Sequence, residues 1–163
     1  MKNLEFRKIV GIGLIAAAAG LYLWRQISGG SAPGERGFFY DESAKTLFYG
    51  ARTAVAPIRG IDGPQEDGYR AVVYSATGNP ADKTSWRVAY LEKCSPELKA
   101  KMEAAQKTGE ALAMGRVESQ NHRFVKRVED ADWRPMSAPD VEAVLNAWTA
   151  AGTNGATPVL CTP

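Results

Sequence analysis

An uninterrupted apolar segment near the start constrains this chain more than any other feature. Sixteen uncharged residues, 9 to 24, read IVGIGLIAAAAGLYLW and follow the basic residues Lys2, Arg7 and Lys8. As a helix this segment covers about 24 Å at roughly 1.5 Å per residue, slightly less than the roughly 30 Å hydrocarbon core of a bilayer. Tyr22 and Trp24 lie where interfacial aromatic residues are expected. We predict a cytoplasmic stub and a single transmembrane helix over residues 1–26.

The same segment has two alternative interpretations. A cleavable signal peptide also fits, because Ala17-Ala18-Ala19 resembles a small-residue cleavage site; cleavage there would leave an apolar new terminus. The pattern G-x-G-x-x-A at residues 11–16 resembles a dinucleotide-binding turn. That motif requires a second strand ending in an acidic residue, whereas residues 28–34 read SGGSAPG, a flexible linker. The dinucleotide interpretation is therefore rejected.

Charge predicts the orientation of the anchor. The excess of basic residues before the apolar segment places the N-terminus in the cytoplasm and the rest of the chain outside the bacterial inner (cell) membrane, in the periplasm or an equivalent extracytoplasmic space. Beyond residue 25 the chain has 16 basic and 17 acidic residues, so the external part is nearly neutral. Such a balance provides no electrostatic surface for nucleic acid, and we predict no nucleic-acid partner.

The predicted anchor carries small residues along one helix face. Gly13, Ala16, Ala17 and Gly20 follow i, i+3, i+4, i+7 spacing. Small residues allow another transmembrane helix to approach closely, so the stripe favours packing against other membrane protein subunits as well as contact with lipid.

After a linker over residues 27–37, residues 38–163 are long enough for one α+β domain. We predict an antiparallel sheet of about four or five strands with two helices packed on one face. Ser95 followed by Pro96 indicates the start of the first helix, and Ser137 that of the second, whose apolar stripe includes Val144 and Trp148. The predicted strands cover residues 38–40, 47–49, 69–76, 86–91 and 123–128, with a further edge strand within 157–163.

The two cysteines, Cys94 and Cys161, favour a disulfide in an oxidising compartment, with two unrelated free thiols as the alternative. His122 is the only histidine, and no nucleophile motif adjoins it. We interpret it as a solvent-exposed loop or strand-edge residue. The acidic run of residues 129–132 lacks the spacing of a calcium loop and is interpreted as a turn. We accordingly predict no enzyme activity, no metal site and no cofactor.

Aromatic residues dominate the first predicted hairpin. Phe38, Tyr40 and Phe48 favour cross-strand core packing, and a recognition surface for a partner protein, glycan or peptide is the alternative.

The chain also resembles uncharacterised single-pass exported proteins of planctomycete-type bacteria. Segments within residues 38–100 carry the resemblance: FFYD at 38–41, KTLF at 45–48, API at 56–58, YRAVVYS at 69–75 and AYLEK at 89–93. Members often have cysteines in the turn after the second strand, whereas Thr77 to Ser85 contains none. The resemblance implies a topology and no activity.

Two functions follow from these features. The first is a non-catalytic, membrane-anchored structural or accessory subunit, whose anchor packs in a larger membrane complex while the external domain contacts partner subunits. The second is an independent anchored binding module, which a sizeable pocket with convergent polar groups would favour.

Overall fold

A computed structural model describes residues 35–163, which belong to one compact unit. Within these residues no helix is both long enough and apolar enough to cross a bilayer. The predicted anchor and its small-residue stripe, Gly13, Ala16, Ala17 and Gly20, lie outside the described residues.

Seven strands form one antiparallel sheet, in the order β2-β1-β3-β4-β5-β6, with β7 paired to β3. They are β1 (Arg36–Asp41), β2 (Thr46–Ala51), β3 (Gly68–Ser75), β4 (Trp86–Cys94), β5 (Arg123–Lys126), β6 (Arg134–Pro135) and β7 (Val159–Leu160). The α+β class is confirmed. The sheet has more than the four or five predicted strands. Strand β7 lies within the edge strand predicted for residues 157–163, whereas β6 was not predicted, because its two residues are too few for a sequence period to reveal.

Three α-helices accompany the sheet: α1 (Pro96–Thr108), α2 (Arg116–Asn121) and α3 (Val141–Asn146). Two short 3-10 segments, Lys83–Ser85 and Ala147–Ala150, complete the regular structure. The sequence predicted two helices, and α2 was missed because its six residues include only one apolar side chain, Val117, which is exposed.

Helix α1 begins where its sequence signal predicts. The Ser95 side chain accepts a hydrogen bond from the Leu98 N–H at 3.1 Å, and Pro96 is the first helical residue. Gly109 ends the helix in the left-handed conformation, with φ of 73°, which glycine adopts without a Cβ clash.

Helix α3 begins later than predicted. It begins at Val141, after Asp140, and neither Ser137 nor Asp140 caps it through a side-chain hydrogen bond. The predicted apolar stripe is nevertheless used, because Val141 and Val144 are buried against Val125. Trp148 lies in the following 3-10 segment and stacks on Tyr74 with ring centroids 5.7 Å apart.

The sheet separates two packed surfaces, because alternate strand residues point to opposite faces. On one side, the aromatic face, Ala71 of β3 lies opposite Leu91 of β4, which lies opposite Lys126 of β5. Its buried core cluster is Phe38, Tyr40, Ala71, Val73, Leu91 and Cys161. On the other side, the cleft face, Phe39, Arg70, Glu92 and Val125 lie opposite one another in succession across β1, β3, β4 and β5.

The predicted partner surface of Phe38, Tyr40 and Phe48 is therefore not one surface. Phe38 and Tyr40 are 4% and 8% exposed within the core of the aromatic face. Phe48 lies on the opposite side, where its ring contacts Phe39 with centroids 5.9 Å apart. The strand alternation that separates them also gives the hairpin aromatic residues on both faces.

Candidate functional site

A cleft of about 270 Å³ opens on the cleft face, between the sheet, helix α1 and the segment after β2. Val55, Ala56 and Val125 are buried and form part of its apolar lining. Met102 from α1 and Met136, which precedes α3, add thioether side chains. Its volume is close to the lower end of the range for small-molecule sites.

Three arginines from three chain segments line this cleft. Arg52 follows β2, Arg70 lies in the middle of the sheet on β3, and Arg123 begins β5. Arg70 Nη1 donates a hydrogen bond to the Arg52 carbonyl oxygen at 2.9 Å, which joins β3 to the cleft rim. Within residues 35–163 none of the three guanidinium groups forms an ion pair with a carboxylate.

Glu92 is the one acidic residue that lines the cleft. It lies directly opposite Arg70 on the neighbouring strand. Burial raises the pKa of the Glu92 carboxyl, while the charges of Arg70 and Arg123 act in the opposite direction. Three guanidinium groups against one carboxylate leave the cleft with a positive charge, which favours an anionic ligand.

Helix α1 holds the rim of the cleft in place. Gln106 Nε2 donates a hydrogen bond to the Thr53 carbonyl oxygen at 2.9 Å. At the other end of the same segment, the Cys94 N–H donates to the Ala56 carbonyl oxygen at 2.9 Å. The rim is therefore tied both to the helix and to β4, so the cleft is largely preformed.

The predicted disulfide between Cys94 and Cys161 is absent, and both residues are free thiols. Cys94 lines the cleft, with its Sγ 3.9 Å from the Met102 Sδ. Cys161 is packed into the core of the aromatic face, and its N–H donates to the Val73 carbonyl oxygen. The two thiols lie on opposite sides of the sheet, a separation that a disulfide cannot bridge.

The cleft offers binding groups more clearly than catalytic ones. Burial raises the pKa of the Cys94 thiol, which keeps it protonated and a weak nucleophile at neutral pH. The His122 ring contacts the Ser95 hydroxyl, with Nδ1 2.9 Å from Oγ, and is not among the residues lining the cleft. His122 is half-buried and hydrogen-bonded, whereas the sequence predicted a solvent-exposed residue.

The acidic run at 129–132 forms a turn closed by an arginine. Arg127 pairs with Asp130 at 2.8 Å and with Glu129 at 3.4 Å. Both carboxylates therefore form ion pairs with Arg127 of the same turn.

Sequence reasoning did not find the cleft. Its arginines are separated by 18 and 53 positions and share no motif. The predicted strand of residues 69–76 includes Arg70, but the strand predicted over residues 86–91 ends before Glu92, so no sequence signal joined the two residues in one site.

Comparison with known proteins gives no match to this chain, whether with protein-family models, curated proteins or solved structures. The resemblance to single-pass exported proteins therefore remains a prediction.

Proposed function

We propose that the described domain is a non-catalytic binding module for a small organic acid, carried by the predicted membrane anchor on the extracytoplasmic side. The observation that supports this function is the cleft itself, which Arg52, Arg70 and Arg123 line together with apolar side chains. Glu92 is the acidic group beside them, and among residues 35–163 none of the three guanidinium groups forms an ion pair.

The ligand class follows from the two kinds of surface in the cleft. A guanidinium group has a planar set of donors that matches a carboxylate, so the arginines would bind the acid group. Val55, Val125 and Met102 would contact an apolar body of the ligand. Glu92 would disfavour a ligand with several negative charges, which makes a monocarboxylate a better fit than a phosphate.

Calorimetric titration of the detergent-solubilised full chain tests this proposal. The probes are benzoate and short aliphatic carboxylates, with benzamide as a neutral ligand of matched shape. We expect the carboxylates to bind and benzamide not to bind. Removing one charge-assisted contact with Arg70→Gln or Arg123→Gln should weaken binding by about tenfold or more.

Arg87→Gln is the matched control. Arg87 lies on β4 outside the cleft and donates only to nearby carbonyl oxygens, those of Thr84 and Trp86. It should leave the affinity unchanged. If the unsubstituted chain binds no carboxylate at millimolar concentration, or if Arg87→Gln weakens binding as much as Arg123→Gln, the proposal is wrong.

The accessory-subunit function is the second candidate. The small-residue stripe of the anchor supports it, and the described domain adds exposed apolar side chains: Tyr49 on the edge strand β2, and Val159 and Leu160 on β7, are 47%, 41% and 50% exposed. Detergent extraction followed by native mass measurement tests this function. Co-migration with a larger complex that Gly13→Leu/Gly20→Leu disrupts would support it, and a monodisperse monomer would contradict it.

A further inference from the structure

A second cluster of side chains lies outside the cleft, where the start of α1 meets the end of α2. It consists of Glu97 from the first turn of α1, Glu118 from α2 and His122 just after α2. One ligand atom from each residue lies within 4.8 Å of the other two. Glu118 and His122 are four positions apart, which places them on the same side of a helical turn.

We propose that Glu97, Glu118 and His122 bind a divalent transition-metal ion, with Zn²⁺ the best fit. An imidazole nitrogen and two carboxylate oxygens are ligands that Zn²⁺ accepts, at about 2.0–2.2 Å from each atom. In tetrahedral coordination two such ligand atoms lie about 3.3–3.6 Å apart. Because Glu97 and Glu118 are exposed, small rotations of their side chains would close the remaining distance.

The orientation of His122 supports a ligand role. Its Nδ1 is 2.9 Å from the Ser95 Oγ, which leaves Nε2 directed at the cluster, 4.0 Å from Glu97 Oε2. Fixing one ring nitrogen by a hydrogen bond while the other is offered to the metal is the usual arrangement of histidine ligands. The Ser95 N–H also donates to the His122 carbonyl oxygen at 2.8 Å, so the two chain segments are joined before any ion binds.

The electrostatic environment already attracts a cation. The Lys101 ammonium lies 2.9 Å from Glu97 Oε1 and forms an ion pair with that carboxylate. A divalent ion would compete with this ammonium for Glu97, so Lys101 limits the affinity for metal.

This competition gives a test in which substitutions act in opposite directions. The chelator-treated full chain in detergent is titrated with Zn²⁺ by calorimetry and with Co²⁺ by visible absorption. We expect one equivalent of Zn²⁺ with a dissociation constant below about 100 µM. Glu118→Gln and His122→Gln should each weaken binding by about tenfold or more, whereas Lys101→Ala should tighten it.

Glu142→Gln is the matched control, because Glu142 is an exposed carboxylate in the first turn of α3. Its binding of Zn²⁺ should equal that of the unsubstituted chain. A thermal unfolding curve without metal checks that each variant is folded. If His122→Gln is unstable, Glu118→Gln still tests the site, because Glu118 is exposed and its substitution should not disturb the fold.

Three results would overturn the metal site. These are failure of the unsubstituted chain to bind Zn²⁺ below about 100 µM, full Zn²⁺ binding by His122→Gln, which would place the ion at other residues, and weaker binding by Lys101→Ala. Benzoate binding should be the same in Glu118→Gln as in the unsubstituted chain, so failure of this site and failure of the cleft proposal are distinguishable.

Discussion

The two faces of the sheet use the same strands in different ways. On the aromatic face, Leu91 and Val73 are 0% and 1% exposed, and the partly buried rings of Tyr69, Trp86 and Trp133 pack against them. On the cleft face, Arg70 and Glu92 lie at the corresponding central positions of β3 and β4, and a cavity remains above them. The aromatic face is closed by apolar packing, whereas the cleft face has charged residues at its centre and an open cavity above them.

Charged residues occur on both faces of the sheet, but the two faces differ in whether these charges form ion pairs. Lys126 on the aromatic face is 4% exposed, pairs with Glu42 and lies 5.1 Å from the Trp133 ring centroid. Lys93 lies 4.4 Å from the same centroid. In the cleft, Arg52, Arg70 and Arg123 form no ion pair among residues 35–163, and Glu92 is the acidic group beside them. On the aromatic face the buried charge is paired within the core, whereas the excess of positive charge at the cavity favours an anionic ligand.

The largest expected effect compares a core residue with a cleft residue. Leu91→Ala should lower the free energy of unfolding by about 3–4 kcal/mol, because Leu91 is fully buried and its removal leaves a cavity. Met136→Ala should lower the free energy of unfolding by about half that amount or less, because Met136 already borders the open cleft. Urea unfolding of both variants measures the difference, and equal losses would contradict the division between a closed face and an open one.

The ion pair of the aromatic face should also be sensitive. Glu42→Gln leaves the buried Lys126 ammonium without its carboxylate and should lower the free energy of unfolding by about 2–3 kcal/mol. The loss should be smaller than for a fully buried pair because Glu42 is 32% exposed. Lys126→Met removes the buried charge itself and should lower the free energy of unfolding by much less. Urea midpoints of the two variants provide the comparison. A greater loss in Lys126→Met would mean that the pair stabilises the fold outright.

The Ser95 hydroxyl contacts both α1 and His122 of the proposed metal site. Ser95→Ala removes the N-cap of α1 and should lower the free energy of unfolding by about 1 kcal/mol. Ser95→Thr should retain most of that stability. Thermal unfolding without metal measures the cap alone, and an unchanged midpoint in Ser95→Ala would show that the cap contributes nothing.

The smallest expected effect concerns Glu92 and pH. Since burial raises its pKa in the folded state, the unfolded chain ionises first as pH rises, and the folded state loses stability above about pH 4. Glu92→Gln should remove this loss, so the variant should be more stable than the unsubstituted chain at pH 7 and similar to it at pH 4. Urea midpoints at both pH values test the sign. The same variant should bind benzoate more tightly at pH 7, because one negative charge leaves the cleft.

Local signals in the sequence were sufficient for much of the fold. The Ser95-Pro96 start of α1 depends only on neighbouring residues and is confirmed. The aromatic hairpin and the strands of residues 69–76 and 86–91 were also recognisable from their composition, and β4 extends three residues past its predicted end, to Cys94. Strand β1 begins at Arg36, two residues before the predicted domain boundary.

Contacts between distant segments could not be read in the same way. The cleft brings together Arg52, Arg70 and Arg123, whose spacing follows no period. In the proposed metal cluster, Glu118 and His122 have an i, i+4 spacing that the sequence shows, but Glu97 joins them only because the start of α1 meets the end of α2 at Ser95. The cysteine prediction failed for a related reason, since two cysteines in the sequence do not reveal the faces on which they lie.

The sequence by itself predicts an apolar anchor, and it determined the nearly neutral charge of residues 26–163, the α+β class and the start of α1. These features depend on composition and on interactions a few residues apart. Only the tertiary structure decided which face of the sheet each side chain occupies, that Cys94 and Cys161 are separated, and that three arginines share a cavity. The physical reason is strand pairing, since a bulge or a shift of one residue in register moves a side chain to the other face. No local pattern specifies that register over such separations.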